Sequence, residues 1–117
     1  MTVTAKAVYA GGQLTNAAAS LYASPTGTTT VITGATFTNV DTSPHTFTVY
    51  IVRSGGSATA ADTLISARTI AAGTTDLAPE LNGVTLGVGD AIYAKADTGS
   101  VVTCAGINGL QVASAGI

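Results

Sequence analysis

Asp41, Ser43 and His45 place the three side-chain types of a hydrolytic triad within five positions. A triad acts when a base is held against its nucleophile by a third group, beside an oxyanion hole. Three neighbours around Pro44 splay apart instead, so the stretch reads as a turn and the start of a strand. Gly87-Val88-Gly89-Asp90 shares its glycines with phosphate-cradling loops, but those need a helix N-terminus behind them. Here Ala91 to Ala96 follow as a strand, and a hairpin turn is the reading. Asp76 and Glu80 stand four apart near Pro79, and paired carboxylates serve acid–base chemistry when one is desolvated. This pair reads as solvated loop carboxylates. Asp41, Asp62, Asp90 and Asp97 offer oxygens for calcium, but their spacing matches no EF-hand-like loop. Cys104, between Thr103 and Ala105, reads as a small core residue rather than a reactive thiol. The expectation is a protein that is not an enzyme, with no catalytic, cofactor-binding or metal-ligating residues.

The remaining polar chemistry suits contacts between proteins. Arg53, at the mouth of the Ser54–Ser57 loop, and Arg68, within a strand, carry guanidinium groups of the kind favoured at interfaces. The competing reading is an ordinary outward charge on a sheet. Tyr9, Tyr22, Tyr50 and Tyr93 fall on separate strands and there is no Trp, which disfavours an aromatic platform for sugars.

Composition narrows the field further. Alanine and threonine number 21 each, beside 14 glycines and 8 serines, and only 9% of the 117 residues are charged. An ordinary soluble domain carries roughly 25%. A net charge of −2 with four basic residues argues against nucleic acid, whose binding runs on Lys and Arg. The opening residues lack the pattern of a secretory signal, and no apolar run reaches the ~18 residues of a membrane span. One cysteine cannot form an internal disulfide, so no oxidising compartment is implied.

The elements that position these residues follow from period-two alternation, which recurs along the chain while helical periodicity is nearly absent. Val3, Ala5, Ala7 and Tyr9 share one face of a first strand, closed by Gly11-Gly12. Leu21-Tyr22 forms a short strand before Ser24-Pro25. Thr28 to Asn39 is long and β-branched, with Val31, Ala35 and Phe37 on one face, Ile32 and Val40 on the other, and a bulge or bend at Gly34. His45 to Arg53 places Phe47, Val49 and Ile51 opposite Thr46, Thr48 and Tyr50. Thr63 to Ile70 and Ala91 to Ala96 are further strands, Ile92 and Tyr93 facing opposite ways. Asp97-Thr98-Gly99-Ser100 reads as a hairpin turn into Val101 to Ile107, and Asn108-Gly109 as a break before a last strand, Leu110 to Ala113. Eight to nine short strands predict a single all-β domain over 1–117: an antiparallel β-sandwich, with the jelly roll as candidate topology. Residues 1–10 are a candidate N-terminal arm or exchanged strand.

Threonine lets a nearly uncharged sheet meet water on its faces, but its edges remain open. With Lys6 and Lys95 the only lysines, a homo-oligomer (trimer or dimer) or a subunit docked on a larger assembly is expected. The contacts are assigned to Thr2 to Tyr9, with Thr2, Val3, Thr4, Lys6 and Val8, and to the loops Arg53–Ser57 and Thr75–Glu80. Arg53, Ser54, Arg68, Asp76 and Glu80 supply the polar part.

Five stretches carry a family likeness. They are Leu21-Tyr22-Ala23-Ser24-Pro25-Thr26-Gly27-Thr28, Thr30-Val31-Ile32-Thr33-Gly34-Ala35-Thr36, Val49 to Ser57, Thr63 to Thr74, and Pro79-Glu80-Leu81 through Asp90 to Ala94. They lie within Leu21 to Ala96, about two thirds of the chain, and this segment resembles a group of small bacteriophage virion proteins. The resemblance implies a structural protein of the particle and carries no catalytic residues. The expected role is capsid decoration (cement): binding the outside of the head, with the major capsid protein as partner, after synthesis in the host cytoplasm. The alternative is a tail or head-fibre module that binds a host-surface glycan.

Overall fold

The alternation is realised as strands in the computed structural model, which describes residues 2–113. Met1 and residues 114–117, which the 1–117 domain and 1–10 arm expectations include in part, lie outside the described residues. The strands are β1 (Thr2–Tyr9), β2 (Gly12–Gln13), β3 (Ala19–Ala23), β4 (Thr28–Asn39), β5 (His45–Val52), β6 (Thr63–Ile70), β7 (Thr75–Asp76), β8 (Thr85–Leu86), β9 (Ala91–Ala96) and β10 (Val102–Ala113). Single 3-10 turns cover Ala60–Asp62 and Pro79–Leu81. Among the described residues ten strands stand where eight to nine were expected: β2, β7 and β8 are two-residue ladders too short to show as alternation, while the two strands expected over Val101 to Ile107 and Leu110 to Ala113 are one, β10.

Two antiparallel sheets pack face to face. Sheet I has the order β1-β10-β4-β7, with β2 also on β10 and β8 also on β4; sheet II has the order β3-β9-β5-β6. The pairs β1–β10, β3–β9, β4 with β7 and β8, and β5–β6 describe one long antiparallel hairpin rolled over on itself. That is the jelly-roll order. The turns at Gly87–Asp90 and Asp97–Ser100, expected as hairpins, instead carry the chain from sheet to sheet: β8 and β10 belong to sheet I, β9 to sheet II. Between the sheets Phe37 and Phe47 stack with ring centroids 4.7 Å apart, surrounded by Ile32, Val49, Leu81, Leu86, Ile92, Val102 and Ile107, all essentially inaccessible. Each such side chain contributes roughly 1.5–3 kcal/mol through burial.

Bulges overturn two expectations about facing. In β4 the pairing with β10 slips between Ile32 and Gly34, leaving Thr33 unpaired. Thr30 and Ile32 therefore face the core before the slip, and Ala35, Phe37 and Asn39 after it, while Val31 turns outward. The bulge or bend expected at Gly34 is a bulge at the neighbouring Thr33, and it reverses the phase on either side. In β1 the slip falls at Val8, so Val3, Ala5 and Ala7 share a face but Tyr9 crosses to the core side. Asn108-Gly109, expected as a break between two strands, lies inside the continuous twelve-residue β10. Gly109 is there for close approach: a Cβ would sit 3.0 Å from the Val31 carbonyl oxygen and 3.3 Å from Thr30 Cγ2.

Candidate functional site

Sheet I presents an outward face built by its register. Val3 lies opposite Val112, which lies opposite Thr29; Ala5 lies opposite Leu110, which continues through Val31 to Thr85. Cross-strand partners share a face, so these form two rows of largely apolar side chains. Val3 is 58% exposed and Leu110 36%, and Leu77 is exposed beside the same sheet. The inward side at this end is polar. Tyr22 Oη and Thr30 Oγ1 are 2.7 Å apart, Gln111 Nε2 donates to Tyr22 Oη at 2.9 Å, and Ser24 Oγ donates to the Thr28 carbonyl. Amphipathicity is thus inverted here: hydroxyls and an amide join the sheets, while valine and leucine meet solvent.

No ionisable side chain lies at an outward position of the described sheet I strands. Lys6 and Asp76 are their only charged residues, and both stand opposite core-facing partners, Gly109 and Phe37. A depression of about 390 Å³ opens on this sheet at the bulges, lined in part by Thr33, Gly34, Thr36, Leu77, Asn82 and Asn108. The sequence reading missed this face, because its phase reverses within β4 and β10; Val3, Ala5, Leu110 and Val112 were its only linear signal.

Of the expected contact residues, Thr2, Val3, Thr4 and Lys6 are exposed on β1, and Val8 is half-buried at the bulge. Arg68, Asp76 and Glu80 come together. Arg68 leaves β6 on the core side, its guanidinium 5.9 Å from the Phe47 ring centroid, and reaches Glu80 Oε1 at 2.6 Å and Asp76 Oδ2 at 3.6 Å. The reading of Arg68 as an outward charge and of Asp76 as solvated is thereby corrected, while Glu80 stays exposed as expected; the three close one flank of the sandwich. The hydrogen bond from Arg68 holds the Glu80 carboxyl below its usual range. Asp76 Oδ1 also accepts the Ala78 N–H at 2.7 Å.

Arg53 and Ser54 meet Asp90. Arg53 Nη1 donates to Asp90 Oδ2 at 2.9 Å and to the Thr85 carbonyl at 3.2 Å; the Ser54 and Gly87 amides donate to the same carboxylate. Burial raises the Asp90 pKa, but the Ser54 amide, Arg53 and the Gly87 amide outweigh it and leave the group lowered. Gly87–Asp90 is therefore a turn closed by its own aspartate.

His45 sits between Asp41 and Asp97, with Nε2 2.7 Å from Asp41 Oδ2 and Nδ1 2.9 Å from Asp97 Oδ1. The Asp41 bond raises the His45 pKa, burial opposes it, and the Asp97 bond adds to the rise. Asp97 was not anticipated, since it is 52 residues from His45 in sequence. Ser43 contributes its carbonyl to the Asn39 amide instead of a nucleophile to the imidazole. Cys104 is buried in β10, its thiol pushed up to about 11. Among the described residues no three His, Cys, Asp or Glu side chains are placed to hold a metal ion. Comparison with protein-family models, curated proteins and solved structures finds no match for the chain.

Proposed function

We propose that the chain is a bacteriophage capsid decoration (cement) protein, a structural unit that docks on the outside of the head and bridges major capsid subunits. The observation that carries this reading is the uncharged outer face of sheet I with its two apolar rows. Exposed valine and leucine on one neutral sheet face favour burial against another protein. Such a contact depends little on salt. Many copies, each weakly held, add together through effective concentration. The virion likeness of Leu21 to Ala96 points to the assembly, and the sandwich supplies a rigid block.

Leu110→Glu tests it. The substitution sets a carboxylate on the exposed row without entering the core. Occupancy of purified particles, read from a stained gel, is expected at hundreds of copies for the wild type and at least tenfold lower for L110E at unchanged unfolding midpoint. Absence of the wild-type chain from particles, or full occupancy by L110E, overturns the reading.

A second reading, the glycan-binding tail or head-fibre module, draws on the depression and its Asn82, Asn108 and threonine lining. It expects calorimetric saccharide binding that Asn108→Ala abolishes. No aromatic ring lines that depression, which favours docking over sugar.

A further inference from the structure

Four strand edges flank the two sheets, and three of them are blunted in the ways that prevent edge pairing. On sheet I, β7 and β8 are two residues long, and the flank beside β7 is tied by Arg68, Asp76 and Glu80. On sheet II, β3 is five residues long, with its register slipping between Ser20 and Tyr22. β6 is bent where Ala67 takes a φ of 41° and carries Arg68 next to the bend. β1 differs. Thr2 to Ala7 pair with β10 in unbroken register, all six are exposed, and among the described residues no strand covers the other side of β1. Lys6 is its only charge.

We infer that β1 pairs antiparallel with β1 of a second copy about a two-fold axis normal to the sheet, fusing two copies of sheet I into one. Sequence parity selects the register. Centred on Thr4, the pairing sets Thr4 against Thr4, Val3 against Ala5 and Thr2 against Lys6 of the second copy. Valine and alanine then extend the apolar rows across the junction. Centring on Lys6 would oppose two ammonium groups, which destabilises a cross-strand pair. Centring on Ala5 would bring the bulge residue Val8 against Thr2, where regular backbone ends.

An axis normal to the sheet keeps both neutral outer faces on the same side, so the pair meets one partner surface with two docking faces. That consequence rests on the decoration reading; the pairing does not. Main-chain hydrogen bonds supply the affinity, as in other strand additions.

Sedimentation equilibrium of the intact protein tests the pairing. A concentration-dependent dimer is expected. Thr4→Lys, which opposes two lysines across the axis, weakens it at least tenfold, and Thr2→Glu, which faces Lys6 of the second copy, tightens it several-fold. Both positions are exposed, and an unchanged unfolding midpoint confirms the fold. A monomer at all concentrations, a trimer, or a dimer indifferent to either substitution overturns the inference. Particle occupancy is read separately, so dimers that fail to dock leave the pairing intact and remove only the decoration role.

Discussion

At the scale of single residues, His45 has each of its two ring nitrogens facing a carboxylate oxygen. The imidazolium donates to both; a neutral ring donates to one and turns a lone pair on the other. Its folded pKa is raised above the ordinary 6.5, so its contribution to stability is complete below 6.5 and is lost as pH rises through the folded value. Asp41, Glu80 and Asp90 are lowered from 3.8, 4.5 and 3.8, so theirs is present above those values and lost as pH falls through the folded ones. The thermal midpoint is expected to peak between about pH 4.5 and 6.5 and to fall on both sides. His45→Asn should lower the peak and flatten the alkaline limb; a variant that keeps the wild-type alkaline slope would refute this origin. The Asp41-to-His45 turn was legible because its members are neighbours. Asp97 was not, since only the meeting of the β9–β10 corner with the start of β5 places it there.

At the scale of elements, β4 and β10 form the spine of sheet I, and each carries a bulge that resets which side chains face inward. The length of β4 was readable from its threonines and β-branched run, Thr28 to Asn39, as was the break at Gly34. The reversal of phase was not, because a bulge adds one residue to one strand only and shows in the pairing rather than in the composition. Asn108-Gly109 misled for a related reason: the same dipeptide serves a tight turn or a close contact between strands. Two alanine substitutions separate these roles. Gly109→Ala should destabilise by about 1–3 kcal/mol in urea unfolding, since its Cβ meets the Val31 carbonyl at 3.0 Å. Gly34→Ala should change stability by less than about 1 kcal/mol, in the favourable direction. Its nearest neighbour would be Asn82 Oδ1 at 3.9 Å, and its φ is not left-handed. Equal effects at the two sites would contradict the packing account.

At the scale of the whole molecule, charge is sorted by sheet. Arg53, Arg68, Lys95, His45 and most of the carboxylates belong to sheet II or to connections, while the outward side of the described sheet I strands carries none. Arg68 is where the sorting meets the fold, because it crosses from β6 to Asp76 and Glu80 beside sheet I. Arg68→Met keeps apolar bulk over Phe47 but leaves Asp76, whose side chain is 18% exposed, without its cation. A loss of about 2 kcal/mol is expected from chemical denaturation. Adding Asp76→Asn should restore part of it. If the double variant is no better than R68M, the clamp is not electrostatic.

Local patterning by itself determined the all-β class, the antiparallel sandwich, most strand positions and the scarcity of charge, since these follow from period-two alternation and composition carried along the chain. Only the tertiary structure decided which faces look outward, that Arg68 turns inward to two carboxylates, and that β1 is the one long edge left uncovered among the described residues. Those outcomes depend on register and on which strands become neighbours. Both are set by contacts between segments far apart in sequence, where no local pattern reaches.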